Sequence, residues 1–268
     1  MSEAERREVW AEGDSYERYV GRWSRAVARP FLRWLACPGG WRWLDVGCGT
    51  GALSEAILAT QRPERLLGVD ASEGFIETAR EQQEFAGAWF EIGDATALPA
   101  SDGEFDAAVS GLVLNFVPAP ARMAAEMRRA VVPGGTVGLY VWDYAGEMQL
   151  MRRFWDAAAA LDPAARELDE GARFPICRPD ALEALFRDAG LTEVETRAID
   201  VPTIFQDFDD FWSPFLGGQG PAPGYCMSLG EAERSALRER LRAELAIDTE
   251  GRIRLNARAL AVKGTAPA

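Results

Sequence analysis

Short apolar runs alternate with amphipathic stretches along the first half of the chain, as they do in folds built from successive strands and helices. Strands are predicted at 41–46, 65–70, 88–92, 105–111 and 136–142, and helices at 51–60, 72–84 and 119–130. Because the two kinds of element alternate, we expect a mostly parallel sheet with helices on both faces, a doubly wound α/β fold. Pro133, Gly134 and Gly135 predict a turn before the fifth strand.

Helical patterns dominate on either side of this core. A helix is predicted over 14–35, where apolar side chains recur every fourth residue as a packing stripe: Tyr19, Trp23, Val27, Phe31 and Leu35. Beyond the fifth strand, the pattern predicts helices at 146–161, 180–189 and 229–246, strands at 192–201 and 252–263, and a flexible loop at 217–224. The aromatic segment 205–215 either walls an apolar pocket together with the insert at 146–177 or belongs to a buried core.

The change of pattern after the fifth strand predicts four regions along the chain. They are an N-terminal entrance helix region at 1–35, a core at 36–145, an inserted cap helix at 146–177, and a C-terminal part of the sheet at 178–268 with a substrate-side insertion at 205–247. A sheet with helical insertions that form a cap is therefore expected.

Composition and charge narrow the functional classes. The 268 residues, 48% of them apolar, suffice for one large α/β domain. A net charge of −13 disfavours nucleic-acid substrates, whose binding relies on clustered Lys and Arg. No apolar run approaches the roughly 20 residues of a membrane helix. The charged residues 1–13 do not resemble a targeting segment, so no membrane association and a cytoplasmic location are predicted.

Two further features of the composition bear on the chemistry. Histidine is absent, and the four cysteines show neither close pairing nor a Cys-x-x-Cys spacing. No metal site is therefore predicted. Any general base has to be a carboxylate, a tyrosine or water.

The strongest local pattern follows the first strand. The strand reaches Asp45, and Gly47, Gly49 and Gly51 then stand at alternate positions before a helix, which predicts a tight turn that comes close to a ligand. Asp70 ends the second strand about 20 residues further on, where an acid can accept the hydroxyls of a ribose. Asp94 follows the third strand. A dinucleotide fingerprint has its third glycine one residue later, but either spacing predicts a nucleoside ligand.

Taken together, these motifs resemble those of the class I S-adenosylmethionine-dependent methyltransferases. Residues 44–51, Leu-Asp-Val-Gly-Cys-Gly-Thr-Gly, are similar to the first motif of that family, and residues 69–72, Val-Asp-Ala-Ser, to its second. Val132, Pro133, Gly134 and Gly135 extend the resemblance to the fifth strand. The resemblance implies a Rossmann-like sheet of seven strands, with the last strand antiparallel.

The resemblance also implies a set of cofactor-binding residues. The glycine loop would hold the methionine part of the cofactor, Asp70 its ribose and Asp94 its adenine amino group, while Arg22 would pair with its carboxylate. The full set implied is Tyr19, Arg22, Asp45, Gly47, Gly49, Gly51, Asp70, Ala71, Asp94, Ala95 and Leu112.

Residues just past the fifth strand are the candidates for acid–base chemistry by their position. Asp143 and Tyr144, with Glu147, are predicted as proton acceptors from a hydroxyl or acidic carbon, although a capping role in an exposed turn is the alternative. Methyl transfer from a sulfonium needs alignment more than a base, because the cofactor itself carries the activation.

The predicted function is methyl transfer from S-adenosylmethionine to a small, partly hydrophobic molecule at oxygen, nitrogen or carbon, by a monomer or a homodimer. Two alternatives are a nicotinamide-dependent oxidoreductase and a non-catalytic protein that only binds S-adenosylmethionine. A third, methylation of nucleic acid, is disfavoured by the negative charge.

Overall fold

The computed structural model describes residues 22–82, 87–218 and 220–268. These residues fall into two compact units. The sheet unit comprises Ser24–Trp142, Ile176–Ile199 and Ala259–Ala268, and the insert unit comprises Asp143–Pro175 and Asp200–Arg258 together with Trp23. The predicted division into four regions stays a prediction, since the units are defined by packing and not by breaks in the sequence pattern.

A seven-stranded sheet is the centre of the fold, as predicted. Its strands are β1 Arg42–Val46, β2 Arg65–Asp70, β3 Ala88–Ile92, β4 Phe105–Gly111, β5 Val131–Trp142, β6 Thr192–Phe205 and β7 Ile253–Thr265. Their spatial order is β3-β2-β1-β4-β5-β7-β6. β1 pairs in parallel with β2 and β4, β2 with β3, and β4 with β5, whereas β7 is antiparallel to β5. The strand order therefore reverses between β1 and β4, which is the switch point where such sheets bind ligands.

Helices flank the strands in the predicted alternation. The described helices are α1 Arg22–Leu35, α2 Ala52–Gln61, α3 Glu73–Glu81, α4 Pro120–Ala130, α5 Gln149–Leu161, α6 Glu170–Arg173, α7 Pro179–Asp188, α8 Phe208–Trp212, α9 Pro221–Ser228 and α10 Glu231–Glu244. Short 3₁₀ turns lie at Leu114–Phe116, Pro163–Glu167 and Ser213–Leu216. None of the helices in these described ranges is long and apolar enough to cross a membrane.

Two predictions about local structure are wrong. The turn expected at Pro133 to Gly135 lies inside β5, which begins at Val131 and shifts its register against β4 before Thr136. A side chain at Gly135 would lie 2.8 Å from the Val132 carbonyl oxygen, so only glycine lets the strand continue through this irregularity. The second error is the loop at 217–224, because Pro221 begins the helix α9, where a proline costs no hydrogen bond.

The packing stripe predicted in the N-terminal helix is confirmed at three of its described positions, while Trp23 is only partly buried. Val27, Phe31 and Leu35 are buried on α1. A Cβ at Gly138 of β5 would lie 2.8 Å from Leu35 and 3.2 Å from the ring of Phe31. The helix therefore packs directly on the sheet over a residue that has no side chain.

Aromatic side chains form the core of the insert unit. Phe205, Phe208, Phe211, Trp212 and Phe215 are all buried, and neighbouring rings contact one another at centroid distances of 5.4 to 6.5 Å. Rings of α5 join them, since Phe154 stacks on Phe215 at 4.4 Å. Of the two interpretations of this aromatic segment, the structure supports the buried core.

An ion pair joins the two strands that flank the switch point. The Arg42 guanidinium donates two hydrogen bonds of 2.9 Å to the Asp106 carboxylate, one to each oxygen, and the backbone N–H of Arg42 donates a third. Both side chains are partly shielded from solvent. The hydrogen bonds from Arg42 lower the pKa of the Asp106 carboxyl.

We expect Asp106→Asn to lower the free energy of unfolding at pH 7 by about 1 kcal/mol, because a charged, bidentate pair is lost. The pKa of Asp106 in the native protein lies below its ordinary value of 3.8. The ion pair therefore stabilises the fold fully above about pH 4, and this stabilisation is lost as the pH falls through the native pKa. Urea unfolding at pH 7 and pH 3 measures the difference. Asp188→Asn, a change at an exposed acid, is the control; an equal loss in both variants would contradict the expectation.

Candidate active site

The glycine loop folds back onto the end of β2. The backbone N–H groups of Gly47 and Cys48 both donate to the Val69 carbonyl, at 2.7 and 3.1 Å. Gly47, Gly49 and Gly51 have φ angles of +71°, +55° and +96°, a region that side chains rarely adopt. Gly51 is the N-cap of α2 and offers no side-chain cap, and an anionic ligand group would suit such an uncapped helix start.

Asp45 is a fully buried carboxylate next to this loop. Its Oδ2 accepts a 2.7 Å hydrogen bond from the Ser54 hydroxyl of α2, while its Oδ1 is buried without a hydrogen-bond partner among the described residues. Burial raises the pKa of Asp45 to about 7; the charge of Asp70 acts in the same direction and the Ser54 hydroxyl against it. An unpartnered buried oxygen is costly, so a cationic or hydrogen-bonding ligand group would suit it.

Asp70 connects the glycine loop to the turn that follows β2. Its Oδ2 accepts from the N–H of Gly49 at 2.9 Å, and its Oδ1 accepts from the N–H of Ser72 at 2.8 Å. Burial raises the pKa of this carboxyl, and the backbone N–H groups of Ser72, Gly49 and Ala71 oppose the shift. The carboxylate is thus held in one orientation and each oxygen keeps a lone pair for a ligand hydroxyl.

Asp94 follows β3 in an exposed turn. Its Oδ1 accepts from the N–H and the hydroxyl of Thr96, at 2.7 and 2.8 Å, and these donors lower its pKa. The carboxylate is therefore ionised at neutral pH and able to accept a hydrogen bond from an amino group. Because β3, β2 and β1 are successive neighbours, Asp94, Asp70 and Asp45 follow one edge of the sheet.

The segment after β4 packs against the glycine loop. A Cβ at Gly47 would lie 2.5 Å from a methyl group of Val113, so the loop fits this segment only because Gly47 has no side chain. Leu112 is buried and adopts a φ of +64°, which is strained for leucine, while its N–H donates to the Tyr140 carbonyl. The chain turns sharply at this residue and enters the 3₁₀ turn Leu114–Phe116.

The remaining predicted cofactor-binding residues are placed as follows. Ala71 and Ala95 directly follow Asp70 and the exposed Asp94, with Ala71 exposed and Ala95 partly exposed. Tyr19 lies outside the described residues. Arg22 begins α1, but its side chain is also outside what the structure describes.

The two predicted catalytic residues belong to the insert unit. The Asp143 Oδ2 accepts the backbone N–H of Glu147, and the Asp143 carbonyl accepts the N–H of Met148, so this residue closes the turn after β5. Tyr144 is buried, with its ring 5.5 Å from that of Phe174. Their catalytic role stays a prediction.

Three supporting residues did not emerge from the sequence motifs. Ser54 holds Asp45, Thr96 holds Asp94, and Val113 covers Gly47. For Thr96 a local pattern existed, since an Asp followed two residues later by Thr is typical of a side-chain-to-backbone turn. Ser54 and Val113 come close to the loop only through the fold.

The site fits a nucleoside that carries an amino-acid part. Two acids are oriented by backbone donors for hydroxyl and amino groups, the uncapped start of α2 suits a carboxylate, and the unpartnered Asp45 oxygen suits an ammonium group. In the described ranges no group of three or more acidic or cysteine side chains is placed to hold a metal ion. The fold is a Rossmann-like sheet, and the site at its switch point fits a nucleoside-binding protein.

Comparison with known proteins identifies the family more closely. Residues 44–139 match a family described as a methyltransferase domain. A 2-methyl-6-phytyl-1,4-hydroquinone methyltransferase from Synechocystis is 30% identical over 187 residues, which are 68% of this chain and 57% of that protein. A ubiquinone biosynthesis O-methyltransferase from Pseudomonas paraeruginosa is 34% identical over 151 residues, 55% of this chain and 63% of that protein. The chain thus spans less than two thirds of either relative.

A solved structure supports the fold. Phosphoethanolamine N-methyltransferase 2 of Haemonchus contortus, in complex with S-adenosyl-L-methionine, superposes with a TM-score of 0.58 at 15% sequence identity, covering 95% of this chain and 56% of that one. Together these comparisons support a class I S-adenosylmethionine-dependent methyltransferase, with the family match carried by residues 44–139.

We expect Gly47→Ala to weaken binding of S-adenosylhomocysteine at least tenfold, because the new methyl group would overlap Val113 and the residue would keep a φ of +71°. Gly40→Ala is the matched control, since Gly40 has a φ of +80° and open space around it. Titration calorimetry measures the affinity and thermal unfolding the stability. Similar affinities of the two variants would exclude the close contact as the cause.

The raised pKa of Asp45 predicts a pH dependence of stability. Between about pH 4 and pH 7 the native protein holds a proton on Asp45 that the unfolded chain has lost, so the free energy of unfolding falls as the pH rises through this window. Asp45→Asn should remove this slope. Ser54→Ala should extend it to higher pH, because the hydroxyl that lowers the pKa is gone. Denaturant unfolding from pH 4 to pH 8 measures the free energy of unfolding at each pH. The same pH dependence in wild type and Asp45→Asn would refute the raised pKa of Asp45.

Proposed function

We propose that this protein transfers a methyl group from S-adenosylmethionine to a small, partly hydrophobic ring compound of the quinol type. The observation that carries the proposal is the pair of oriented acids, Asp70 and Asp94, beside a glycine loop that excludes side chains. Support for the acceptor comes from the relatives, because one is named for a hydroquinone and one for ubiquinone biosynthesis.

The residues described would hold the cofactor in three places. Asp70 would accept the ribose hydroxyls and Asp94 the adenine amino group, with Ala71, Ala95 and Leu112 alongside. The start of α2 would receive the methionine carboxylate and Asp45 the ammonium group. When bound, S-adenosylmethionine supplies an activated methyl group on a sulfonium.

The protein itself has to align the acceptor with the methyl group and to provide a route for the acceptor's proton. An acceptor hydroxyl or ring carbon has to lie in line with the departing sulfur, and positioning alone is able to supply much of the rate enhancement. The hydroxyl of a quinol becomes strongly acidic as its oxygen takes up the methyl group, so water or a carboxylate suffices to accept the proton in a chain without histidine. Asp143 and Tyr144 remain our proposed proton acceptors; the Asp143 carboxylate makes its described hydrogen bond through Oδ2 alone.

Other features of the proposed function rest on the sequence. The acidic balance of the chain favours a neutral or cationic acceptor and disfavours nucleic acid. A cytoplasmic location and a monomeric or homodimeric state are part of the same proposal.

The decisive experiment compares the wild type with Asp70→Ala. S-adenosylhomocysteine should raise the melting temperature of the wild type, and the substitution should weaken its binding about a hundredfold or more, because two charge-assisted hydrogen bonds are lost. Labelled S-adenosylmethionine with 2-methyl-1,4-hydroquinone should give a methylated product with the wild type alone. Asp188→Asn, at an exposed acid of α7, is the control for a change of charge.

Three results would count against the proposal. Unchanged affinity in Asp70→Ala would contradict the site. Binding of reduced nicotinamide, seen by its fluorescence, without any response to S-adenosylhomocysteine would favour an oxidoreductase. Tight binding of S-adenosylhomocysteine without transfer of label to the hydroquinone or to any compound of a metabolite extract would favour a non-catalytic binding protein.

A further inference from the structure

A buried amide without a partner lies just beyond β4. Both polar atoms of the Asn115 side chain, Nδ2 and Oδ1, are shielded from solvent, and neither has a hydrogen-bond partner in the described part of the chain. Asn115 is the middle residue of the 3₁₀ turn Leu114–Phe116. A primary amide is able to make several hydrogen bonds, so here its whole capacity is unused.

Such a group is unfavourable unless something binds to it. Leaving a buried polar group unpaired costs about 1–3 kcal/mol, and native proteins contain few of them. A second unpaired group stands on the preceding strand, because the hydroxyl of the fully buried Ser110 also has no hydrogen-bond partner among the described residues. The two unpaired polar side chains thus stand five residues apart at the carboxyl end of β4.

The residues just before Asn115 place this 3₁₀ turn beside the glycine loop. Val113, two residues earlier, is the residue whose methyl groups occupy the space over Gly47. Leu112 holds the strained φ of +64° that redirects the chain out of β4. Strain of this kind is maintained where the surrounding structure requires it, and it often marks a functional site.

The chemistry of the turn differs from that of the cofactor-binding residues. In the proposed binding mode, Asp45, Asp70, Asp94 and the start of α2 would match the polar groups of the cofactor. From Gly111 to Val117, by contrast, Asn115 is the one polar side chain in an otherwise apolar sequence. A neutral amide in apolar surroundings is poorly suited to an ammonium ion. It suits a hydroxyl group, which both donates and accepts a hydrogen bond.

We propose that Asn115 is a specificity-determining residue that hydrogen-bonds a hydroxyl group of the methyl acceptor. This inference rests on the proposed function and deepens it, since it assigns the recognition of an uncharged, hydroxyl-bearing ring to one side chain. The selectivity arises because a ligand that lacks the hydroxyl leaves the buried amide unpaired.

The test is a double-mutant cycle in which one change removes the polar atoms of Asn115 and the other removes the hydroxyl groups of the ligand. The protein is loaded with S-adenosylhomocysteine, and calorimetry measures its affinity for 2-methyl-1,4-hydroquinone and for the dimethyl ether of that compound. Asn115→Leu keeps the size of the side chain and removes its polar atoms. We expect the wild type to prefer the free hydroquinone about tenfold, as one hydrogen bond to a buried amide would give, and the variant to show no preference.

The outcomes separate this inference from the proposed function. An equal preference for the hydroquinone in wild type and variant would overturn the role of Asn115, and so would a failure of both ligands to bind the wild type. A loss of S-adenosylhomocysteine affinity in Asn115→Leu would overturn it too, because the amide would then serve the cofactor. If the preference depends on Asn115 but no methyl group is transferred to the hydroquinone, hydroxyl recognition stands and the quinol acceptor of the proposed function falls.

Discussion

The Asp70 carboxylate is the contact on which the arrangement of the site depends. With one oxygen it accepts the N–H of Gly49 from the loop after β1, and with the other the N–H of Ser72 from the turn after β2. Two chain segments that are about 20 residues apart are thereby held at a fixed distance, and the carboxylate cannot rotate. Its remaining lone pairs therefore point in defined directions, as a site for a ribose requires.

Unpaired polar groups and positive φ angles accompany this arrangement at the same edge of the sheet. Asp45 is fully buried with one oxygen unpaired, three glycines and Leu112 have positive φ angles, and the Asn115 amide has no partner. Elsewhere in the described residues, Arg42 pairs with Asp106 and Arg152 with Asp169, whereas Trp142 Nε1 and Thr203 Oγ1 are buried without a hydrogen-bond partner. Unpaired groups and strain at one edge of an otherwise well-packed fold are expected where a ligand completes the interactions.

Much of the sheet unit could be predicted because its elements have clear periodicity. The strands β2, β3 and β4 have the predicted bounds, and the antiparallel last strand that the family resemblance implied is present. Predictions were wrong where the same residue type is common in two kinds of local structure. Pro133 and Gly134 are typical of turns, but here they lie within a strand that contains an irregularity, and Pro221 begins a helix instead of prolonging a loop. The local sequence does not distinguish these cases, because the deciding contacts come from neighbouring strands and helices.

By itself, the sequence predicted a nucleoside site and the residues that would form it. The spacing of Asp45, the three glycines, Asp70 and Asp94 depends on local backbone conformation and on strand ends, which short motifs encode directly. The tertiary structure alone decided which side chains support that site. Ser54 of α2 donates to Asp45, Val113 in the segment after β4 covers Gly47, and the aromatic segment at 205–215 packs as a core. Contacts between residues far apart in the chain depend on how the elements pack, and no local pattern records that packing.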